Sequence, residues 1–268
     1  MLVQINNHSL HYIEQGQSDG RPVVFIHGFP FDCSMWQPQL AALPKRFHAI
    51  AYDVRGHGRS AVGDGLYSLE FFVDDLMALL DHLKLEQVVL CGLSMGGYIA
   101  LRAVERHRER FAALVLCDTR SQADNDQVRV NRAAAIRALA EDGIAAFADN
   151  FLKLVMAPST FQDNPAVVDL LREMIVATDP RAIGGTLMAL AARTDTTAAL
   201  PQLDLPALML VGEQDRLTPP EDARALAGQL PRAELYVIPR AGHMSNLENP
   251  DYFNERLLTF LEQVDRSG

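Results

Sequence analysis

The chain has 268 residues, of which 34 are acidic and 24 basic, so its formal net charge at pH 7 is −10. This acidic balance argues against a nucleic-acid backbone or an anionic membrane surface as the main partner. The length suits one substantial α/β domain with a smaller insertion, and a hydrophobic content of 49% is ample for a buried core.

The N-terminus and the cysteines bear on compartment and cofactors. The opening residues have no basic region followed by an unbroken apolar stretch, and no window approaches the roughly 20 apolar residues of a membrane span. We therefore expect a cytoplasmic protein. Cys33, Cys91 and Cys117 are an odd number and match no metal-binding spacing, so we expect free thiols and no metal or organic cofactor.

Short apolar runs predict a mostly parallel sheet. Residues 2–6 and 10–14 alternate apolar and polar side chains, which predicts an antiparallel hairpin at one edge. Nearly continuous apolar runs of this kind favour parallel strands that are covered on both faces by helical crossovers. The runs are "VVFIH" (23–27), "HAIAY" (48–52), "VVLCG" (88–92), "ALVLC" (113–117), "ALMLV" (207–211) and "ELYVI" (234–238).

Helical patterns lie between these runs. Residues 69–83 carry an apolar stripe behind Ser68, a candidate N-cap, and a similar stripe follows Pro250. Residues 218–230 likewise begin with a candidate N-cap followed by proline. Between about 121 and 200 the pattern is helical with no convincing strand, and this length exceeds an ordinary crossover. We interpret it as a helical insertion that covers one end of the sheet.

Ser94 lies where a strand should turn into a helix. Gly92 and Gly96 flank it in "GLSMGG", the GxSxG spacing that exposes a serine at a sharp bend. A serine hydroxyl becomes nucleophilic only when a base takes its proton and a third group orients that base. His243 and Asp215 each follow a predicted strand and complete the chain order serine, acid, histidine.

The sequence leaves a second acid open and offers two oxyanion donors. Asp118 also follows a strand end, in "LVLCDT", and is the alternative to Asp215. The anionic tetrahedral intermediate of acyl transfer needs preorganised hydrogen-bond donors. The backbone N–H groups of Met95 and Phe29 are the candidates.

Five motifs in this order give the chain a resemblance to the α/β-hydrolase family over nearly its whole length. They are "HGFP" (27–30), "DVRGHGRS" (53–60), "GLSMGG" (92–97), "GEQD" (212–215) and "AGHM" (241–244). The resemblance implies a roughly eight-stranded sheet with a helical cap after the sixth strand. We accordingly expect a core of residues 1–120 and 201–268 and a cap of residues 121–200.

The resemblance also implies roles for the candidate residues: Ser94 as nucleophile, Asp215 as acid, His243 as base, and Phe29 and Met95 as oxyanion donors. Dehalogenases and epoxide hydrolases of this fold place an aspartate where this chain has Ser94, which counts against both activities.

The motifs look most like those of esterases and lactonases, including the 3-oxoadipate enol-lactonases. We expect a small-molecule ester or lactone substrate, processed through an acyl-enzyme. A perhydrolase, a carbon–carbon bond hydrolase and a ligand receptor on the same scaffold are alternatives. Candidate pocket residues are Trp36, Phe147, Phe151 and Met188, for which simple core packing is an equal interpretation. The sequence does not indicate an oligomeric state.

Overall fold

The structure is a computed structural model that describes residues 1–267. Its sheet has eight strands in the order β1-β2-β4-β3-β5-β6-β7-β8. The strands are Leu2–Ile5 (β1), His8–Gly16 (β2), Arg21–Ile26 (β3), Phe47–Tyr52 (β4), Val88–Leu93 (β5), Phe111–Cys117 (β6), Ala207–Gly212 (β7) and Ala233–Ile238 (β8).

The predicted edge hairpin and the mostly parallel sheet are confirmed. Strand β1 pairs antiparallel with β2, and β2 pairs antiparallel with β4. All further pairings, from β4 through β3 and β5 to β8, are parallel. Every residue of β4, β5 and β7 is buried, as expected for strands that are covered on both faces.

Ten α-helices are described in residues 1–267. They are Gln37–Ala42 (α1), Leu69–His82 (α2), Met95–Arg106 (α3), Asp126–Val155 (α4), Thr160–Asp163 (α5), Pro165–Ala177 (α6), Pro180–Ala191 (α7), Pro220–Ala227 (α8), Ser245–Glu248 (α9) and Pro250–Ser267 (α10). Short 3₁₀ helices span Cys33–Trp36, Arg108–Arg110 and Thr197–Gln202. No helix of the described chain is long and apolar enough to cross a membrane.

The helix ends follow from local sequence. The Ser68 side chain accepts a hydrogen bond from the backbone N–H of Phe71 at 3.2 Å and so caps α2 as predicted. Helix α10 begins at Pro250, whose missing N–H costs nothing at the first helical position. Helix α4 is interrupted at Gly143, which has non-helical backbone angles (φ 82°, ψ 171°).

Two apolar cores lie on the two faces of the sheet. One contains the buried faces of α2 and α3, and the other contains those of α1 and α10. Residues 121–200, all of which the structure describes, hold helices α4 to α7 and no strand. These helices therefore enter the chain between β6 and β7, at the carboxyl ends of the parallel strands.

A buried ion pair within this helical segment holds an arginine against α3. Asp124 accepts hydrogen bonds from Arg193 and Arg132, and the side chains of Asp124 and Arg193 are 0% and 1% exposed. The Arg193 guanidinium also lies 4.1 Å from the ring centroid of Tyr98 on α3. Burial opposes ionisation of Asp124, but the hydrogen bonds and charges of Arg132 and Arg193 outweigh it and lower the Asp124 pKa.

We expect Asp124→Asn to lower the free energy of unfolding by about 3–5 kcal/mol, because it leaves the buried Arg193 cation without its anionic partner. Urea denaturation at several pH values measures the change. Since the folded-state pKa of Asp124 is lowered, its contribution is present above the unfolded-state pKa. The difference between wild type and variant should therefore shrink as the pH falls below about 4.

Glu141→Gln serves as the control, because Glu141 and its partner Arg137 are both exposed and their ion pair should contribute less than about 1 kcal/mol. Equal losses in the two variants would contradict the role of Asp124.

Candidate active site

Ser94 stands at the bend between β5 and α3. Its backbone angles are φ 54° and ψ −112°, a conformation that a residue with a side chain adopts only where its surroundings hold it. A Cβ atom on Gly92 would lie 2.2 Å from the carbonyl oxygen of Gly96, and one on Gly96 would lie 2.2 Å from that of Ile26. Glycine at these two positions therefore lets α3 start directly against the sheet.

The bend is also held by hydrogen bonds to β6 and the loop after it. The Ser94 N–H donates to the carbonyl of Cys117 at 2.9 Å, and the Thr119 hydroxyl donates to the carbonyl of Ser94 at 2.9 Å. Met95 is the first residue of α3, so its N–H is among the helix donors that have no partner within the helix.

His243 pairs with Asp215. Nδ1 of His243 lies 2.7 Å from Oδ2 of Asp215, and both side chains are almost fully buried. The Thr218 hydroxyl donates to Oδ2 of Asp215 at 2.7 Å, and the N–H groups of Leu217 and Thr218 donate to Oδ1. Burial would raise the pKa of Asp215, but the charge of His243 and these hydrogen bonds lower it.

Asp118 lies beside this pair but bonds elsewhere. Its Oδ1 accepts the N–H of Gly212 at 2.8 Å, and its Oδ2 pairs with the hydroxyl of Ser245. Burial and the nearby charge of Asp215 raise the Asp118 pKa well above its ordinary value. Of the two acids that the sequence left open, Asp215 is the one that hydrogen-bonds to His243.

Neutral buried histidines support the loop that follows β3. His27 accepts the N–H of Val54 at its Nε2 (2.9 Å), and its Nδ1 pairs with the carbonyl of Gly28. Burial lowers the pKa of His27, and burial together with His27 lowers the pKa of His57 to about 3. The uncharged ring of His27 thus holds the loop that carries Phe29, and the ring of His57 lies edge-on to Phe29 with centroids 6.2 Å apart.

Among residues 1–267, two groups of side chains have donor atoms close enough for a metal ion. They are His11 with Cys33 and Asp53, and Asp118 with Asp215 and His243, with one ligand atom from each residue within 4.8 Å of the others. In both groups the carboxylates are already occupied by backbone N–H, hydroxyl or imidazole partners. The geometry therefore fits hydrogen bonding and not metal coordination.

Ser94, His243 and Phe29 line one cavity of about 390 Å³. This volume is near the lower end of the range for small-molecule sites. The further lining residues are Tyr98, Arg120, Val128, Asn131, Arg132, Ala135, Phe147, Phe151, Leu154, Leu187, Leu190, Arg216, Leu217 and Thr218. The polar catalytic candidates therefore share a largely apolar chamber.

The structure brings two of the four predicted pocket residues to this cavity. Phe147 and Phe151 line it with stacked rings 5.8 Å apart. Trp36 instead packs in the apolar core, with ring centroids 5.1 Å from Phe25 and 6.3 Å from Phe253. Met188 is 57% exposed and does not line the cavity.

Sequence reasoning missed several lining residues. Leu187 and Leu190 stand at the i, i+3 spacing of α7, which indicates an apolar helix face but not what that face covers. The lining arginines belong to no motif, so the sequence offered no signal for them.

A buried carboxylate joins the His243 loop to the helical segment. Oε1 of Glu248 accepts the N–H groups of Gly242 and Met244, on either side of His243, at 2.9 and 3.2 Å. Its Oε2 accepts the N–H of Ala157 at 2.8 Å and the hydroxyl of Thr160. Burial raises the pKa of Glu248, and these four donors oppose the rise.

A profile of the alpha/beta hydrolase fold family matches residues 21–250. The 3-oxoadipate enol-lactonase 2 of Acinetobacter baylyi is 30% identical over 96% of this chain and 94% of its own length. Two similar solved structures are a thermophilic esterase from Thermogutta terrifontis with malate bound and the enol-lactonase from Burkholderia xenovorans LB400.

The Thermogutta esterase is 36% identical, with a TM-score of 0.92 over 96% of this chain and 94% of that chain. The Burkholderia enol-lactonase is 32% identical, with a TM-score of 0.91 over 98% of this chain and 100% of that chain. Both similarities extend across the whole fold.

We expect Glu248→Gln to lower the free energy of unfolding by about 1–3 kcal/mol for each donor that loses its acceptor, because the new amide NH₂ faces two donors. Urea denaturation and hydrogen exchange at the Gly242, Met244 and Ala157 amides measure the effect. Glu255→Gln is the control, since the Glu255 side chain is 61% exposed. Unchanged amide protection in Glu248→Gln would contradict the linking role.

Proposed function

The chain belongs to the α/β hydrolase fold family, and on this premise we propose that it cleaves a carboxylic ester or lactone through an acyl-enzyme formed on Ser94. The main support is the buried hydrogen bond between His243 and Asp215, made by a histidine that shares its cavity with Ser94. The similarity to esterases and enol-lactonases supports the same class of reaction.

In the proposed mechanism, His243 takes the proton of Ser94 as its Oγ attacks the carbonyl carbon of the substrate. Asp215 holds the imidazole by its Nδ1–H and stabilises the imidazolium that forms. The oxyanion of the tetrahedral intermediate accepts hydrogen bonds from the N–H groups of Phe29 and Met95. His243 then gives the proton to the leaving alkoxide, which frees the alcohol part.

Hydrolysis of the acyl-enzyme repeats these steps with water. His243 removes a proton from the water molecule, which attacks the acyl carbonyl, and returns the proton to Ser94 as the acid leaves. Residues of the chain itself carry out every proton transfer in this cycle.

We further propose that residues 121–200 act as a cap on a core formed by residues 1–120 and 201–268. This is supported by the cavity lining, in which Phe147, Phe151 and Leu187 come from the helical segment and Ser94 and His243 from the sheet edge. The perhydrolase, carbon–carbon hydrolase and receptor interpretations stay predictions.

We expect Ser94→Ala to lower kcat/KM for p-nitrophenyl esters by a factor on the order of 10⁴–10⁶, because no other group would form the acyl-enzyme. Circular dichroism and urea denaturation should match those of the wild type, since alanine keeps the Cβ of serine at the bend. Ser159→Ala is the control, because Ser159 is exposed and makes no side-chain capping bond. Near wild-type turnover by folded Ser94→Ala would exclude this mechanism.

We expect Asp215→Asn to lower kcat by roughly 10³–10⁴, because the amide cannot stabilise the imidazolium of His243. Asp118→Asn should stay within about 10-fold of the wild type. Its amide oxygen can still accept the N–H of Gly212, and the Ser245 hydroxyl, which donates to Oδ2 of Asp118, can turn to accept from the new NH₂. Steady-state kinetics of both variants measure the difference, and the reverse order would assign the acid role to Asp118.

A comparison of Asp118→Asn with the wild type also tests the pKa of Asp118. A raised folded-state pKa means that the stability contributed by the neutral acid is present below the unfolded-state pKa and is lost as the pH rises through the folded-state value. Asp118→Asn should therefore gain stability relative to the wild type as the pH rises from about 4. A pH-independent difference would show that Asp118 titrates normally.

A further inference from the structure

The carboxylate of Asp215 has a second side-chain partner besides His243. Nδ1 of His243 lies 2.7 Å from Oδ2 of Asp215, and the Thr218 hydroxyl donates to the same Oδ2 at 2.7 Å. The other oxygen, Oδ1, accepts only backbone N–H groups, from Leu217 and Thr218. Among residues 1–267, Thr218 is therefore the one side chain that shares this carboxylate with the histidine.

The start of α8 leaves the Thr218 hydroxyl free for this bond. The sequence marks Thr218 as a candidate N-cap, but α8 begins at Pro220 with Pro219 as its N-cap and no side chain caps it. The hydroxyl points to Asp215 instead. Thr218, Asp215 and His243 are 2%, 4% and 3% exposed, so water has little access to the bonds among them.

The direction of the Thr218 bond bears on the tautomer of His243. A carboxylate has no hydrogen to give, so the hydroxyl uses its only hydrogen on Oδ2. Its oxygen also lies 3.3 Å from Nδ1 of His243 and is available there only as an acceptor. Nδ1 thus faces two acceptors, which favours the tautomer with the hydrogen on Nδ1. Nε2 then keeps the lone pair that takes the proton of Ser94 in the proposed mechanism.

Thr218 also changes how strongly Asp215 holds a proton. Burial raises the pKa of Asp215, but the charge and hydrogen bond of His243, followed by the N–H and hydroxyl of Thr218, lower it. A hydroxyl that donates to Oδ2 stabilises the ionised carboxylate and makes it a weaker base. Without this hydroxyl, Oδ2 would hold the proton of the imidazolium more strongly. His243 would then stay protonated, and unable to act as a base, up to a higher pH.

Other charged groups surround the pair, but none of them hydrogen-bonds to Thr218. They are Asp118 after β6, Asp222 on α8, Glu248 on α9 and the cavity arginines Arg120, Arg132 and Arg216. Burial raises the pKa of Asp118 and of Asp222, with the charge of Asp215 as a further cause. A substitution that removes only the Thr218 hydroxyl keeps all of these groups, so a difference from the wild type reports on that hydroxyl.

We propose that Thr218 is a positioning residue of this site: its hydroxyl aligns the Asp215 carboxylate with His243 and weakens the hold of that carboxylate on the imidazole proton. This inference rests on the proposed function, because it concerns the acid and base of the same site. Thr218 takes no part in bond making or breaking. It sets the lowest pH at which the base is available.

Thr218→Val tests this role, because it replaces the hydroxyl by a methyl group of similar size and keeps the backbone N–H bonds to Oδ1. For p-nitrophenyl butyrate, the pH at which kcat/KM reaches half its plateau on the acid side should rise by about 0.5–1 unit. The plateau of kcat should fall by about 3- to 10-fold as the carboxylate loses its alignment, with KM changed less than about 2-fold.

Two further variants separate this role from general packing. Thr218→Ser keeps the hydroxyl and should return the acid-side midpoint to the wild-type value. Thr196→Val is the matched control, since Thr196 is also buried and its hydroxyl donates to the carbonyl of Ser121 at 3.2 Å, away from the cavity lining. It should leave the midpoint unchanged. An unchanged or lower midpoint in folded Thr218→Val, or an equal rise in Thr196→Val, would overturn the proposal while leaving ester hydrolysis intact.

NMR titration of the His243 imidazole follows the same protonation without turnover, with its signals assigned by their loss in His243→Gln. The neutral ring of the wild type should carry its hydrogen on Nδ1, and the titration midpoint in Thr218→Val should be higher by about 0.5–1 unit. Should Thr218→Val not fold, Thr218→Ala also lacks the hydroxyl and should show the same rise.

This titration also separates the two proposals. If the wild type hydrolyses no ester, the proposed function fails, and the titration alone decides on Thr218. A hydrogen on Nε2 in the neutral ring of the wild type, or equal midpoints in the wild type and the variant without the hydroxyl, overturns the positioning role.

Discussion

The candidate site depends on a backbone contact that leaves no room for a side chain. Gly92 lies against the carbonyl of Gly96, and Gly96 lies against the carbonyl of Ile26 on the neighbouring strand. These contacts start α3 directly at the end of β5 and keep Ser94 in a conformation that costs roughly 1–3 kcal/mol. The central strands are fully buried and rigid, and they hold Ser94 in this unfavourable conformation. The serine therefore stays on the cavity wall.

The sequence predicted the sheet well because its strands are nearly continuous apolar runs. It also predicted that Ser94, Asp215 and His243 lie close together, because the carboxyl ends of parallel strands meet at one edge. Their catalytic roles stay predictions. The sequence did not predict which side chains face the cavity. Trp36 follows a strand end but lies on the face that α10 covers. Met188 is next to Leu187 on α7, and one residue turns the side chain by about 100° around a helix.

The choice between the two acids shows what local sequence leaves undetermined. Strands β6 and β7 are neighbours, so Asp118 and Asp215 arrive at the same place, and both follow a strand end. Their surroundings separate them, because Asp215 receives two N–H groups, a hydroxyl and His243, whereas Asp118 receives one N–H and one hydroxyl. Adjacent buried carboxylates push their pKa values apart, which favours one ionised and one neutral acid.

The segment that lines the cavity also holds His243. The N–H of His243 donates to the carbonyl of Val155 at 2.7 Å, and Glu248 joins both neighbours of His243 to Ala157 and Thr160. The end of α4 cannot shift without breaking these bonds or carrying His243 with it. The same stretch of backbone also anchors Arg216, so Arg216 and His243 are both fixed to the end of α4. A displacement of this end of α4 would therefore change the cavity wall and the position of His243 together.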